Sequence, residues 1–223
     1  MEDAARARAD LVLFPELAAD LAHPEIAETL AALARAHRML IVPGSFHDPE
    51  REANVARAIG PEGPLWEQEK HIPATLTLAG RRFTEGIRPS SSRKVVVAGT
   101  RWGRIAIVIC RDYLDLDLRA ALRHAEPPVD LVLNPAFTPV TADFEAVHLE
   151  ARRAIYACSL FANAAAFGRS LAHTPERGRR RRPLARSAET VLCKDLDLGA
   201  LRAARLEWDR RHGIDARFIQ STR

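Results

Sequence analysis

The sequence predicts an α/β fold, and three observations carry that prediction. Short apolar runs broken by proline, glycine or charge, LVLFPE (11–16), IAIVIC (105–110) and LVLNP (131–135), alternate with segments whose apolar residues recur at helical spacing. Each of those runs stops abruptly at a residue with chemistry to offer, namely Glu16, Cys110 and Asn134. Strand ends form the ligand crevice in open α/β sheets, so three such endings in one chain point to a site.

The elements follow in chain order. MEDAARARAD reads as a short helix handing over at Leu11 to a buried strand stopped by Pro15. HPEIAETLAALARAHRM (23–39) repeats apolar residues at Ile26, Leu30, Leu33 and Ala34, a helix with its charges outward. MLIVPGSF is a strand ended by Pro43 and Gly44. Residues 47–64 collect proline, glycine and charge, and read as a hairpin or loop around a short strand at 54–59. The segment RKVVVAGTRWGRIAIVIC predicts a hairpin turning near Arg101. LDLDLRAALRHA is helical, 131–133 is a strand stopping at Asn134 and Pro135, and 141–157 is a long helix leading into the strand CSLFANAA. Residues 168–182 read as a polar, basic loop or hairpin, and AETVLCKDLDLGALRAARLEW as a strand followed by a short helix. No repeat or composition shift marks a boundary, so the reading is one domain over 1–223.

Composition excludes several classes. Hydrophobic residues at 47% and charged residues at 28% describe neither a disordered nor a membrane-spanning chain. The net charge of +4 is roughly equalled by one local run of five arginines, Arg177, Arg179, Arg180, Arg181 and Arg182. A protein that grips a phosphate backbone spreads its charge over a face, so nucleic acid is not the expected partner. Cys110, Cys158 and Cys193 are too scattered for a disulfide scaffold and fit a reducing compartment. The N-terminus has no uninterrupted apolar segment, which leaves the cytoplasm as the expected location without membrane attachment. HExxH, CxxC, paired histidines and a glycine-rich phosphate loop are all missing, so no metal is expected.

Cys110 is either a packed core thiol or a nucleophile. Arg111 and Asp112 follow it at once, which a core filler does not need. A thiolate forms only with help from a base or a cation, and a strand-to-helix turn places backbone N–H groups where an oxyanion develops. Glu16, at the end of an apolar strand, suits proton transfer. Lys70 in WEQEKHIP is a candidate oxyanion stabiliser, with Lys94 in SSSRKVVVAG as its rival. His71, His124, His148 and His173 are bases by type, but none ends a strand, which favours a carboxylate base.

With Glu, Lys and Cys in that order, the chain resembles the carbon–nitrogen hydrolase family, or nitrilase superfamily. The matching stretches are ADLVLFPE (9–16), the segment at 70–73, FTEGIRP (83–89), GRIAIVICRDYLDLDLRAAL (103–122), VDLVLNPAF (129–137), FEAVHLEARRAIYACSLFANAAAFGRS (144–170) and ETVLCKDLDL (189–198). The resemblance implies a four-layer α-β-β-α sandwich that pairs across a helical face with a second copy, as a homodimer or higher homo-oligomer. It also implies a catalytic Glu16–Lys70–Cys110 triad, with the backbone N–H of Arg111 completing the oxyanion site and no cofactor. The implied reaction is hydrolysis of a small non-peptide amide or carbamoyl amide, ahead of a nitrile, through a thioester on Cys110. Phe137 and Asn163 are candidate pocket residues, though Asn163 is as well suited to tying down backbone. Arg111 suits either a substrate carboxylate or a local acid.

Three departures stand out. Only about fifteen residues precede Glu16, so the family's first strand is missing from the pattern. The additional glutamate expected a few residues after the lysine is absent from KHIPATLTLAGRRF, and Glu85 matches a different position. The interval of 54 residues from Glu16 to Lys70 is compact, which suggests a more open pocket. The absent first strand and the missing glutamate favour one alternative, an inactive or weak family member serving as a subunit or binding module; nitrile hydrolysis is the other alternative within the resemblance.

Overall fold

Residues 1–89, 93–175 and 191–212 are described by the computed structural model. The arginine run at 177–182 lies outside them. Two five-stranded mixed sheets form the body. The first contains β1 (Leu11–Leu13), β2 (Leu40–Val42), β3 (Phe46–Asp48), β4 (Ala53–Gly60) and β5 (Gly63–Glu69). β1 runs parallel to β2, whereas β2 and β3 both pair antiparallel with one edge of β4 and β5 with its other edge. A separate hairpin, β6 (Thr75–Leu78) and β7 (Arg81–Thr84), follows β5. The second sheet contains β8 (Val97–Thr100), β9 (Gly103–Ile107), β10 (Leu131–Ala136), β11 (Cys158–Asn163) and β12 (Leu171–His173), paired in the order β12-β11-β10-β9-β8. Its centre, β9-β10-β11, is parallel.

Side-chain alternation along the strands builds the layers. Leu40 and Val42 of β2 pack with Ile105, Ile107 and Leu133 of the second sheet, forming the core between the sheets. Ile41, one step out of phase, packs instead with Leu30 and Ala34 of α2 (Pro24–His37). On the opposite face, Ala106, Val108 and Val132 meet Leu122 of α3 (Leu116–Arg123) and Ala151 of α4 (Thr141–Ala154). Period-2 patterning with both faces apolar thus gives helix, sheet, sheet, helix. Each fully buried aliphatic chain contributes about 1.5–3 kcal/mol to that stacking. The short α1 (Glu2–Arg6) opens the chain, and α5 (Leu198–His212) docks through Arg202 and Arg205 on the buried carboxylate of Asp130.

Three expectations are corrected. β10 does not stop at Asn134 and Pro135 but continues to Ala136. The N–H that proline lacks falls on the β9 side, and β9 has already left the ladder after pairing Ile107 with Leu133, so no hydrogen bond is lost. The strand expected from 188 onward lies outside the described residues over 188–190; residues 191–197 form no strand and lead directly into α5, and the exposed Val191 and Leu192 join no ladder among the described residues. The region at 47–64 holds more strand than its proline and glycine suggest, because β3 and β5 both pair with β4.

Candidate active site

Four strand ends point to one place. Glu16 follows β1, where Pro15 lies against Gly44 so closely that a Cβ on Gly44 would come within 1.8 Å of the Pro15 carbonyl oxygen. Only glycine, here at φ +85°, fits that approach, and the contact fixes the loop carrying Glu16. Lys70 follows β5, its own N–H donating to the Asn54 carbonyl at 2.8 Å. Cys110 follows β9 at φ 45°, a left-handed conformation that turns the chain sharply into the 3₁₀ helix Cys110–Leu114. Phe137 follows β10.

Glu16, Lys70 and Cys110 are all buried. The Lys70 ammonium donates to Glu16 Oε1 at 2.7 Å and to Glu85 Oε2 at 2.6 Å. Asn54 Nδ2 bridges the same two carboxylates, at 2.9 Å to Glu16 and 2.8 Å to Glu85, while Phe137 N–H donates to Glu16 Oε2 at 3.0 Å. The Cys110 thiol faces Glu16, Lys70 and the Phe137 N–H.

The charges set the protonation states. Burial alone would favour loss of the Lys70 proton, but the charges of Glu16 and Glu85 outweigh it and hold the ammonium well above its ordinary value. Burial likewise opposes ionisation of Glu85, and the Lys70 charge with bonds from Lys70, Ala74 and Asn54 keeps its carboxyl below the usual range. Burial and then the Glu16 charge push the Cys110 thiol up to about 12, against the opposing pull of Lys70. The resting sulfur is therefore a thiol in contact with a carboxylate.

Two buried networks support these groups. Asn134 Nδ2 donates to the carbonyls of Val108 at 2.5 Å and Cys110 at 3.3 Å, and its Oδ1 meets His148 Nε2 at 3.0 Å. His148 reaches Ser159 Oγ through Nδ1 at 3.2 Å and stacks on Tyr113. On the other side, both carboxylate oxygens of Asp112 accept backbone N–H groups, from His71 and Ile72, each at 2.8 Å.

The remaining sequence candidates fall into place around this cluster. Lys94 is exposed and accepts a bond from the Gln68 side chain at its carbonyl, whereas Lys70 is enclosed. Arg111 is exposed and donates to the Pro73 carbonyl. Phe137 presents a partly exposed ring edge-on to Phe167. Asn163 spends its side chain on the backbone of Thr138 and Gly168, the tying role. His124 is exposed; His148 and His173 are buried away from the cluster, and His71 contacts Gln68. Among the described residues no group of three or more His, Cys, Asp or Glu side chains could hold a metal ion. No helix among them is long and apolar enough to cross a membrane.

Sequence reading set Glu85 aside as matching a different position, noted Asp112 only as a charge following Cys110, and passed over Asn54. The structure brings Glu85 onto Lys70, so a second glutamate is present beside the lysine after all. Its signal lay in FTEG, but the β6–β7 hairpin hides the proximity. Asn54, a buried polar side chain set between Ala53 and Val55 in β4, was the more readable signal.

The sequence profile of the family described as carbon-nitrogen hydrolase matches residues 1–206. The chain belongs to the carbon–nitrogen hydrolase family. Solved structures of similar fold include the NitFhit protein of C. elegans, with a TM-score of 0.72 at 20% identity, covering 96% of this chain and 58% of that one. The chain thus spans little more than half the length of NitFhit. An amidase from Nesterenkonia sp. AN1 has a TM-score of 0.69 at 18% identity, covering 94% of this chain and 88% of that one. Nit3 of Saccharomyces cerevisiae, a nitrilase-superfamily member, has a TM-score of 0.66 at 16% identity, covering 93% and 75%. No curated protein sequence matches. The family takes its name from hydrolysis of carbon–nitrogen bonds, and the two-sheet sandwich is the fold that this chain shares with these solved structures.

Proposed function

We propose that this carbon–nitrogen hydrolase cleaves a small amide through a thioester on Cys110. The observation that carries the reading is the buried meeting of Glu16, Lys70 and Cys110, with the lysine bonded to Glu16 at 2.7 Å. Because the thiol is pushed up to about 12, little thiolate exists at neutral pH and a base must act during attack. Glu16 takes the thiol proton as sulfur adds to the carbonyl carbon. The negative charge passes to the carbonyl oxygen, which Lys70 and the Arg111 N–H stabilise. Collapse of that intermediate breaks the C–N bond, and Glu16 returns the proton to the leaving nitrogen. Water then gives a proton to Glu16 as it attacks the thioester; the acid departs, and the proton returns to Cys110. General acid–base transfer of this kind contributes about 10²–10⁴-fold.

An amide is preferred to a nitrile because of what similar structures hold. An alanine-for-cysteine mutant of the Nesterenkonia amidase is complexed with butyramide. A glutamine-for-glutamate mutant of it carries the acetamide moiety of fluoroacetamide on its active-site cysteine. On this reading the half-exposed Phe137 ring lines the acyl side. The reading takes the chain as one catalytic domain, cytoplasmic, homo-oligomeric and free of cofactor. Ammonia release from acetamide, propionamide, butyramide, carbamoyl amides and the matching nitriles, each against Cys110→Ala, tests it. Release from amides that disappears in the variant is expected; release from nitriles alone, or from nothing in the panel, contradicts it.

A further inference from the structure

We propose that Asp112 is a positioning residue that holds Lys70 in register with Cys110 across the two sheets. The proposal rests on the reading of Cys110 as nucleophile and Lys70 as its cation. Those two residues arrive from different sheets, Lys70 at the end of β5 and Cys110 at the end of β9. Between facing sheets lies a layer of apolar side chains, which resists separation but is non-directional and sets no hydrogen-bond register.

Asp112 supplies a directional link. It sits two residues after Cys110 within the 3₁₀ helix and is 1% exposed. Its Oδ2 accepts the N–H of His71 and its Oδ1 the N–H of Ile72, both at 2.8 Å. These are the two N–H groups immediately after Lys70, where the chain has left β5 and no ladder partner remains for them. A carboxylate accepting two consecutive N–H groups fixes both distance and orientation, which a single bond does not. Lys70 is thereby held on both sides: its own N–H is bonded to Asn54 within the first sheet, and its successors are bonded to Asp112 beneath Cys110. Arg111 adds a second link in the same direction through the Pro73 carbonyl.

A purely structural role would satisfy two buried donors and nothing more. The positioning role differs in one respect: its effect on the sulfur passes through Lys70. Asparagine at 112 keeps one accepting oxygen but turns an N–H₂ toward the other donor.

The test measures the second-order rate of Cys110 alkylation by iodoacetamide, an uncharged electrophile, with the site located by peptide mass and folding followed by thermal unfolding. It is run in a Cys193→Ser background, since Cys193 is exposed. Asp112→Asn is expected to slow alkylation at least tenfold when Lys70 is present and less than twofold in the Lys70→Gln chain. Equal slowing in both backgrounds, or no slowing in either, overturns the proposal. Where Asp112→Asn does not fold, Ile72→Pro, which removes one donor and leaves Asp112 intact, is read the same way. A parent chain whose folded Cys110 does not react overturns the nucleophile reading and this proposal together; a reactive Cys110 with Lys70-independent loss overturns this one alone.

Discussion

The Lys70 ammonium lies 2.6 Å from the Glu85 carboxylate, with Lys70 almost wholly enclosed. A buried ammonium between two carboxylates stays charged and cannot swing away, as an oxyanion stabiliser requires. Glu85→Gln keeps an acceptor for Lys70 but removes a charge. A hydrogen bond to a charged group is worth about 1.5–3 kcal/mol, so kcat should fall about 10- to 100-fold with the chain still folded. Steady-state ammonia release beside thermal unfolding reads both. Because Glu85 titrates below the ordinary 4.5, its contribution to stability is present above that pH and is lost only as the pH falls below it.

Glu16 raises the Cys110 thiol and, in the proposed mechanism, also serves as its base, which separates two readouts. Glu16→Gln should lower turnover by about 10²-fold or more. The same change removes the negative charge facing the sulfur and leaves Lys70 beside it, so alkylation by iodoacetamide at neutral pH should be retained or faster. A variant that loses both activities together with its thermal unfolding transition would place Glu16 in a structural role.

His148 is fully enclosed, and burial holds its pKa well below the ordinary 6.5. The unfolded chain binds a proton there at mildly acid pH and the folded chain does not, so stability from His148 is complete above about 6.5 and declines as pH falls below it. His148→Gln has no such group. The stability difference between parent and variant, measured by urea unfolding from pH 7.5 to 5, should shrink by up to about 1.4 kcal/mol per pH unit below 6.5. A difference independent of pH would contradict the assignment.

Phe137 offers a ring edge-on to Phe167 at 5.1 Å between centroids, beside the N–H that holds Glu16. If the ring lines the acyl side, Phe137→Ala should lower the kcat/KM preference for butyramide over acetamide. Two methylenes at about 0.8 kcal/mol each set a ceiling of about 15-fold on that change. An unchanged ratio would move the acyl chain elsewhere.

How much of this was legible follows from how each residue is placed. Glu16 and Cys110 stood out because each terminates an apolar run, and strand ends are where a two-sheet sandwich exposes chemistry. Lys70 was readable only through its order between them. Glu85 was not, because a 15-residue separation from Lys70 is closed by the β6–β7 hairpin, whose register no local pattern announces. Asp112 stood in plain view beside Cys110, but its partners are backbone N–H groups 40 residues away or more, and main-chain donors leave no mark in a sequence. The strand expected before α5 illustrates the reverse: the apolar Val191, Leu192 and Cys193 read as a strand, yet an apolar run supplies no partner, and 191–197 pair with no strand among the described residues.

The most direct measurement is the intact mass of the chain quenched during turnover of butyramide, with the modified residue mapped by peptide mass. A transient gain equal to the butyryl group on Cys110, absent in Cys110→Ala together with ammonia release, is the predicted result. Ammonia release that survives Cys110→Ala, or an acyl group on any other residue, would contradict the account.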